Sequence, residues 1–369
     1  MYRQEDLICV AKRENNRKRN YVLVNPLQGK HVPVNPGKAL ELFECLVKPL
    51  QEAYGRERLL LIGFAETATA IGAAVAAKLG ALYMQTTREN IPGVDFFMFS
   101  EDHSHATEQK LVKDDIDSVI AQVDRAIFIE DEVTTGRTIL HIIDVLKSAY
   151  PDFSSYGVAS ILNGMDPENL NAYKVRGIAL HYLVKTDSRK YGRAAERFRG
   201  DGIYVPAALG REMAGVKEIR VGGAMNARRL VSGRDYKNAC EKLWDEISRQ
   251  AALPSIQKLL VIGTEEFMYP GLYVAGQAEE AGMDVRFHAT TRSPIAVSGE
   301  ADYPLHVRYE LRSLYESGRV TFLYDIDTYD AVWIVTDAGS DEREGIYSLV
   351  NALRRKNKGP VTLVRWCED

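Results

Sequence analysis

The sequence predicts an α/β protein, a parallel sheet with flanking helices, followed by a second α/β region that reads as a degenerate copy of the first. Two observations carry this. Short continuous apolar runs, LLLIG at 59–63 and AIFI at 126–129 among them, each lead through a small or polar turn into a segment with helical spacing of apolar residues. Strands covered on both faces by crossover helices read this way, whereas strands with one wet face alternate. The second observation is repetition, because the helix, strand, turn and Thr-Thr-Arg of the first half recur in the same order in the second.

Composition sets the frame. At 369 residues the chain exceeds one ordinary core and suits two domains, predicted at 1–215 and 216–369. It is 46% hydrophobic and 27% charged with a formal charge of −4, which argues against nucleic acid or a membrane surface as partner. Cys9, Cys45, Cys240 and Cys367 are scattered without a CxxC pair, so a reducing cytosol and no structural zinc are expected. The opening MYRQEDLICVAKRENNRKRN has no apolar core for a signal peptide, and no apolar run approaches a membrane span. A soluble cytoplasmic protein is the expectation.

The elements follow in order. The basic text RENNRKRN reads as a solvated edge, and Pro26, Pro33 and Pro36 punctuate two short β-like pieces after it. A helix is predicted over 37–54, then the strand 59–63. Its turn, Gly63-Phe64-Ala65-Glu66-Thr67-Ala68-Thr69, opens a helix over 70–79. A strand through Leu82, Tyr83 and Met84 runs into Thr86-Thr87-Arg88. Residues 90–109, with His103 and His105 around Ser104, are polar and read as a long loop. The strand Ala126–Ile129 ends in Glu130, Asp131 and Glu132, and Thr134-Thr135-Gly136-Arg137-Thr138 opens the helix 139–146. Apolar strands over 156–163 and 177–184 make five in one sheet if the crossovers are right-handed. The basic stretch 187–199 reads as a solvated helix face.

In the second half, DYKNACEKLWDEI precedes LLVIG at 259–263, GTEEFMYPGLYVAGQAEEAG mirrors GFAETATAIGAAVAAKLG, and VRFHATTRSPI mirrors LYMQTTRENI. YDAVWIVTDAGSD stands where VDRAIFIEDEVTTG stood, and on this reading the copy has lost the acid pair and the Thr-Thr-Gly.

The chemistry concentrates at 126–138. Adjacent carboxylates at the end of a buried strand are costly unless a polyhydroxylated group or a metal meets them. A vicinal diol suits Glu130 and Asp131. The turn beyond them offers the Thr134, Thr135 and Thr138 hydroxyls, a Gly136 able to take positive φ, the Arg137 charge and amides at a helix start, a cradle for a phosphomonoester. Diol and phosphate one turn apart describe ribose 5-phosphate. HxH at His103 and His105 is a metal-like spacing, but without a third nearby ligand no protein metal site is read from it.

The run Ile129-Glu130-Asp131-Glu132-Val133-Thr134-Thr135-Gly136 resembles the PRPP-binding signature of type I phosphoribosyltransferases. Glu132 departs from it as a third acid. The resemblance implies that fold, with a small hood for the acceptor base to which Asn25, Lys30 and His31 would contribute. It implies that Glu130 and Asp131 hold the ribose hydroxyls, that Thr134, Thr135, Gly136, Arg137 and Thr138 hold the 5-phosphate, and that Ala65, Glu66, Thr67 and Ala68 with Arg88 hold pyrophosphate. His103 and His105 would lie on a loop that closes over the reaction centre, and Mg²⁺ would be bound chiefly through PRPP. Thr290-Thr291-Arg292-Ser293-Pro294 and GTEEFMYP extend the likeness to the domain named for Thr-Arg-Ser-Pro (TRSP), fused to orotate-phosphoribosyltransferase-like domains in bacterial tellurium-resistance and stress gene clusters. Together they imply transfer of phosphoribose from PRPP to a base, in synthesis of a nucleotide or nucleoside-like metabolite. A PRPP or nucleotide sensor and the reverse, salvage-type reaction are the alternatives, and homo-oligomerisation is left open.

Overall fold

Leu59–Gly63 forms the strand its composition predicts, buried at all five positions, with parallel neighbours Leu82–Gln85 and Arg125–Val133 on its two sides. The computed structural model describes residues 2–14, 19–99, 109–208, 210, 215–251, 256–339 and 343–368. The chain folds as two compact units, each drawn from separate segments. The first unites Met1–Gln4, Glu41–Arg189 and Met225–Asn238; the second unites Glu5–Leu40, Lys190–Ala224 and Ala239–Asp369.

In the first unit the sheet order is Val231–Ser232, Leu82–Gln85, Leu59–Gly63, Arg125–Val133, Tyr156–Asn163, Ala179–Lys185. The last five are parallel, as predicted, and the short edge strand is antiparallel. The helix Ala68–Leu79 is built of small residues and presses close to this sheet. A Cβ on Gly72 would lie 2.8 Å from the Tyr83 ring and 3.2 Å from the Gly63 Cα, and the Tyr83 hydroxyl donates to the Thr69 carbonyl at 2.8 Å. The predicted helix over 37–54 is two helices, Pro36–Glu44 and Val47–Tyr54. The interval read as an open loop is partly a hairpin, Phe96–Phe99 against Gln109–Val112. Phe97 and Phe99 turn inward while Met98 is exposed, a two-residue alternation hidden in polar text.

In the second unit five parallel strands run in the order Val216–Val221, Val361–Trp366, Ala331–Thr336, Lys258–Gly263, Asp284–Ala289. The four strands from Val361–Trp366 to Asp284–Ala289 repeat the first sheet's order. Asn25, Lys30 and His31 are buried within this unit, where the Lys30 ammonium donates to the carbonyls of Glu265 and Thr290 at 3.0 and 3.1 Å. No helix among the described residues is long and apolar enough to cross a membrane.

The repeat extends to single hydrogen bonds. The Thr86 amide donates to the Gly63 carbonyl at 2.9 Å and the Thr290 amide to that of Gly263 at 3.1 Å. The Ala65 amide donates to the Thr86 hydroxyl at 2.8 Å, and the Glu265 amide to the Thr290 hydroxyl at 3.0 Å. Thr87 bridges to Lys110 and Thr291 to Phe322, each on an antiparallel hairpin. Register settles the remaining match. Gly63 pairs with Ile129 and Gly263 with Val335, which carries Glu130 onto Thr336 and Asp131 onto Asp337. The copy thus lacks the acid pair, as expected, but keeps one of its members in Asp337.

Beneath the Thr290–Arg292 turn, His288 is fully buried. Its Nδ1 accepts from the Ala289 amide at 2.9 Å and its Nε2 lies 2.9 Å from the Tyr324 carbonyl. Burial holds its pKa down to about 4. An unfolded imidazole takes up its proton near pH 6.5 (roughly), so the native state is fully stable above that pH and loses stability as the pH falls toward 4. The slope is at most about 1.4 kcal/mol per pH unit. Denaturation curves from pH 7 to pH 4 are expected to fall less steeply for His288→Gln than for wild type.

Candidate functional site

Both predicted anion-binding turns lie at the carboxyl end of the first unit's parallel strands, where open α/β sheets place their ligands. After Leu59–Gly63 the chain turns through Ala65, Glu66 and Thr67 into the helix beginning at Ala68. The Ala65–Glu66 peptide is cis. Glu66 and Thr67 are half-buried, and the Thr69 hydroxyl donates to the Glu66 carbonyl at 3.1 Å. Thr67 occupies the cap position without a side-chain capping bond. Arg88 follows Thr87 beyond the neighbouring strand and is half-buried.

Sequence reasoning missed what holds this turn. Gln109 is fully buried; its Nε2 donates to the Ala65 carbonyl at 2.7 Å and its Oε1 accepts from the Thr86 hydroxyl at 2.8 Å. Together with the Ala65 amide donated to Thr86, both backbone polar groups of Ala65 are fixed by two side chains. Gln109 was legible only as the last residue of a polar stretch. His103 and His105 lie outside the described residues, immediately before it.

Glu130, Asp131 and Glu132 extend the strand Arg125–Val133 past its apolar part, all three half-buried. Alternation sends Glu130 and Glu132 to one face and Asp131 to the other. Glu130 lies near Tyr173, whose phenol is pushed well above its usual pKa by burial first and by the Glu130 charge second. Thr134 and Thr135, half-buried, lead to Gly136, which takes φ +72° and starts the helix Arg137–Ala149. The Leu140 amide donates to the Gly136 carbonyl at 3.0 Å, and the Arg137 amide points to the Thr135 hydroxyl at 3.4 Å. Arg137 is exposed and Thr138 half-buried.

A second tier braces this cradle. The buried Tyr173 hydroxyl also donates to the Gly136 carbonyl, at 2.6 Å. The Gly164 amide donates to the Val133 carbonyl at 2.8 Å, and the Met165 amide to Asn163 Oδ1 at 3.0 Å. Lys185 Nζ donates to the carbonyls of Asn163, Met165 and Thr186 at 3.2, 2.7 and 3.1 Å. Burial lowers that ammonium's pKa. Asn163, Tyr173 and Lys185 carry no motif, because their part depends on which strands become neighbours. The structure thus brings Ala65 to Ala68, Arg88, Glu130, Asp131 and Thr134 to Thr138 to one end of one sheet.

A family model described as phosphoribosyl transferase matches residues 7–192, half of the chain. A second, described as the TRSP domain C-terminal to that family, matches residues 229–353. No curated protein matches. Among solved structures the chain is similar to adenine phosphoribosyltransferase from Rhodothermus marinus, at 16% identity and TM-score 0.37, covering 49% of this chain and 96% of that one. It is similar to the Trypanosoma brucei enzyme in complex with AMP, pyrophosphate and ribose-5-phosphate, at 12% identity and TM-score 0.36, covering 51% and 80%. The Giardia lamblia enzyme with 9-deazaadenine matches at 14% identity and TM-score 0.34, covering 50% and 99%.

Gly136 admits no side chain. A Cβ there would sit 2.5 Å from both Met165 Cε and the Tyr173 hydroxyl, on a backbone L-residues rarely adopt. Gly136→Ala is expected to destabilise the first unit by about 1–3 kcal/mol. Tyr173→Phe, which keeps the ring and loses one buried hydrogen bond, is expected to cost about 1 kcal/mol. Chemical denaturation of both variants beside wild type checks the order.

Proposed function

Since the chain belongs to the phosphoribosyl transferase family, we propose that it is a transferase moving 5-phosphoribose from PRPP to a nitrogenous base with release of pyrophosphate. Along the chain the activity is assigned to 1–215 and the TRSP segment to 216–369, although residues 5–40 and 190–215 fold with the second unit and 225–238 with the first. The observation that carries the reading is the Arg125–Val133 strand end, where half-buried acids meet a left-handed glycine at a helix start.

Each part has a physical task. The 5-phosphate sits on the amides and hydroxyls of Thr134, Thr135, Gly136 and Thr138 at the amino end of Arg137–Ala149, where the helix dipole favours an anion, and Arg137 adds charge. Glu130 and Asp131 accept from the ribose hydroxyls, which are neutral donors a carboxylate can meet without a second ion. Pyrophosphate lies on the turn Ala65, Glu66, Thr67 and Ala68, with Arg88 as a guanidinium that binds two oxygens at once. Leaving-group departure places positive charge on the sugar ring, so the site works by positioning and by neutralising the leaving diphosphate rather than by a protein nucleophile.

Mg²⁺ would be held chiefly through PRPP oxygens, and the Glu66 carboxylate is a hard oxygen donor that would suit it. When bound, the ion neutralises diphosphate charge. The acceptor is a nitrogenous base, and the product a nucleotide.

Calorimetric titration of PRPP with Mg²⁺, followed by a pyrophosphate-release screen across bases, tests this. Wild type is expected to bind PRPP and release pyrophosphate with one base. Asp131→Asn is expected to weaken PRPP binding roughly tenfold or more, about the worth of one charge-assisted hydrogen bond. PRPP binding without release from any base would replace the transferase by a sensor. No PRPP binding would end the reading.

A further inference from the structure

The second unit has the strand topology for a ligand crevice at the same place in its sheet. Lys258–Gly263 leads to Asp284–Ala289 on one side, and Ala331–Thr336 leads to Val361–Trp366 on the other. The chain paths diverge between these two central strands, the switch point at which open α/β sheets take ligands. The hydroxyls of Thr264 and Thr336 bridge the strand ends at 2.8 Å.

We propose that this crevice binds a ribosyl compound without a diphosphate, of which a nucleoside is the simplest, through Asp337. The inference rests on the reading of Asp131 as a ribose ligand in the first unit.

Three observations shape the ligand. The first is the acid. Register carries Asp131 onto Asp337, and the Tyr315 hydroxyl donates to its Oδ1 at 2.7 Å while lying 2.6 Å from the Thr264 hydroxyl. Tyr315 thereby fixes the orientation of a half-buried carboxylate at the crevice. Thr336 stands at the place of Glu130 and Ala338 at that of Glu132, so the strand end carries two charges fewer and one hydroxyl more. That combination suits a neutral diol.

The second is the turn that in the first unit would hold diphosphate. Here it carries Glu265 and Glu266, each 1% exposed. Arg292, the counterpart of Arg88, reaches Glu266 Oε1 at 2.7 Å, and Arg319 reaches Glu265 Oε2 at 3.0 Å. The Ser313 hydroxyl donates to Glu265 Oε1 at 2.6 Å. The cations at this turn are thus engaged by the protein's own carboxylates. A diphosphate brought beside them would meet like charge in a poorly screened interior. Glu265 holds φ +50°, a strained backbone for a side chain of its kind.

The third lies on the hairpin. Thr321 is fully buried, and its hydroxyl has no hydrogen-bond partner among the described residues. It pairs with Leu311, and alternation puts it on the hairpin face that carries Ser313, whose hydroxyl reaches Glu265. Its counterpart by register, Gln109, is fully engaged in the first unit. The same face carries Tyr309, Leu311 and Leu323 into the hydrophobic core, and a buried hydroxyl left unmet there calls for a water or a ligand group.

The test titrates the full chain with adenosine and separately with PRPP and Mg²⁺, in wild type, Asp131→Asn and Asp337→Asn. Adenosine is expected to bind wild type and Asp131→Asn alike and to bind Asp337→Asn roughly tenfold or more weakly; PRPP is expected to show the reverse sensitivity. Hydrogen exchange of wild type gives an independent reading, with amides at 262–268 and 313–319 slowed by adenosine. Adenosine binding that depends on Asp131 and ignores Asp337 overturns the proposal, as does exchange slowing confined to the first unit. So does PRPP binding that is lost with Asp337→Asn. PRPP binding with no adenosine binding overturns this inference alone, whereas absence of PRPP binding defeats the proposed function on which it rests.

Discussion

Everything at the carboxyl end of each sheet depends on how closely a helix can approach the strand that precedes it. In the first unit the contact is Gly63 and Gly72 around Tyr83; in the second it is Gly263 and Gly271 around Phe287, where a Cβ on Gly271 would lie 3.2 Å from the ring and 3.3 Å from the Gly263 Cα. Close-packed interiors leave no slack for a methyl group at such a contact. With the helix axis held near the sheet, the turn between them is short, and its amides stand over the strand ends instead of in bulk water. The Thr86 and Thr290 hydroxyls then fix the first residue of each turn from the adjacent strand. A binding turn is in this sense a consequence of packing, and the same packing was used twice.

The two units differ in how they treat charge at that position. In the first, Glu66, Glu130 and Asp131 stay half-buried, a state in which carboxylates keep part of their hydration while remaining able to meet a ligand. In the second, Glu265 and Glu266 are almost fully buried, and Arg292 and Arg319, 12% and 14% exposed, stand against them. Removing one member of such a pair costs about 3–5 kcal/mol, since it strands the other charge. The network is therefore self-sustaining: it stabilises its own turn and has little spare capacity for an incoming polyanion. The divergence is one of electrostatics and turn backbone on a shared sheet topology, not of fold.

This explains what could be read in advance. The strands 59–63, 126–129 and 259–263 were legible because continuous apolar runs have few other uses, and Glu130, Asp131 and Gly136 were legible because acids and a left-handed glycine at a strand–helix junction are costly without a purpose. Gln109, Tyr173 and Lys185 were not. Each acts through a backbone carbonyl brought near by tertiary structure, and a side chain that binds backbone leaves no sequence pattern. The hairpin 96–112 was lost for another reason: its four-residue strands carry too short an alternation to stand out within polar text. Asp337 was hidden by register. The glycines match at an offset of 200, from 63 to 263, but the acids match at 206, from 131 to 337, so comparing text at one fixed offset misses the pair.

The fifth strand shows what the architecture leaves free. In the first unit Ala179–Lys185 comes after the four core strands; in the second Val216–Val221 comes before them, yet each lies parallel beside the fourth. A parallel ladder is satisfied by direction and register, not by the order in which the chain supplies its strands. The second unit also draws on residues 5–40, which form their own two-stranded ladder, Cys9–Lys12 with Tyr21–Val24, and touch the edge strand through a bridge from Val34 to Phe287. Such permutation leaves the two central strands untouched, and the switch point between them survives wherever the outer strand originates. What ties each site to its sheet is therefore the pairing of Leu59–Gly63 with Arg125–Val133 and of Lys258–Gly263 with Ala331–Thr336, and every residue argued to touch a ligand stands within one turn of a central strand or its immediate neighbour.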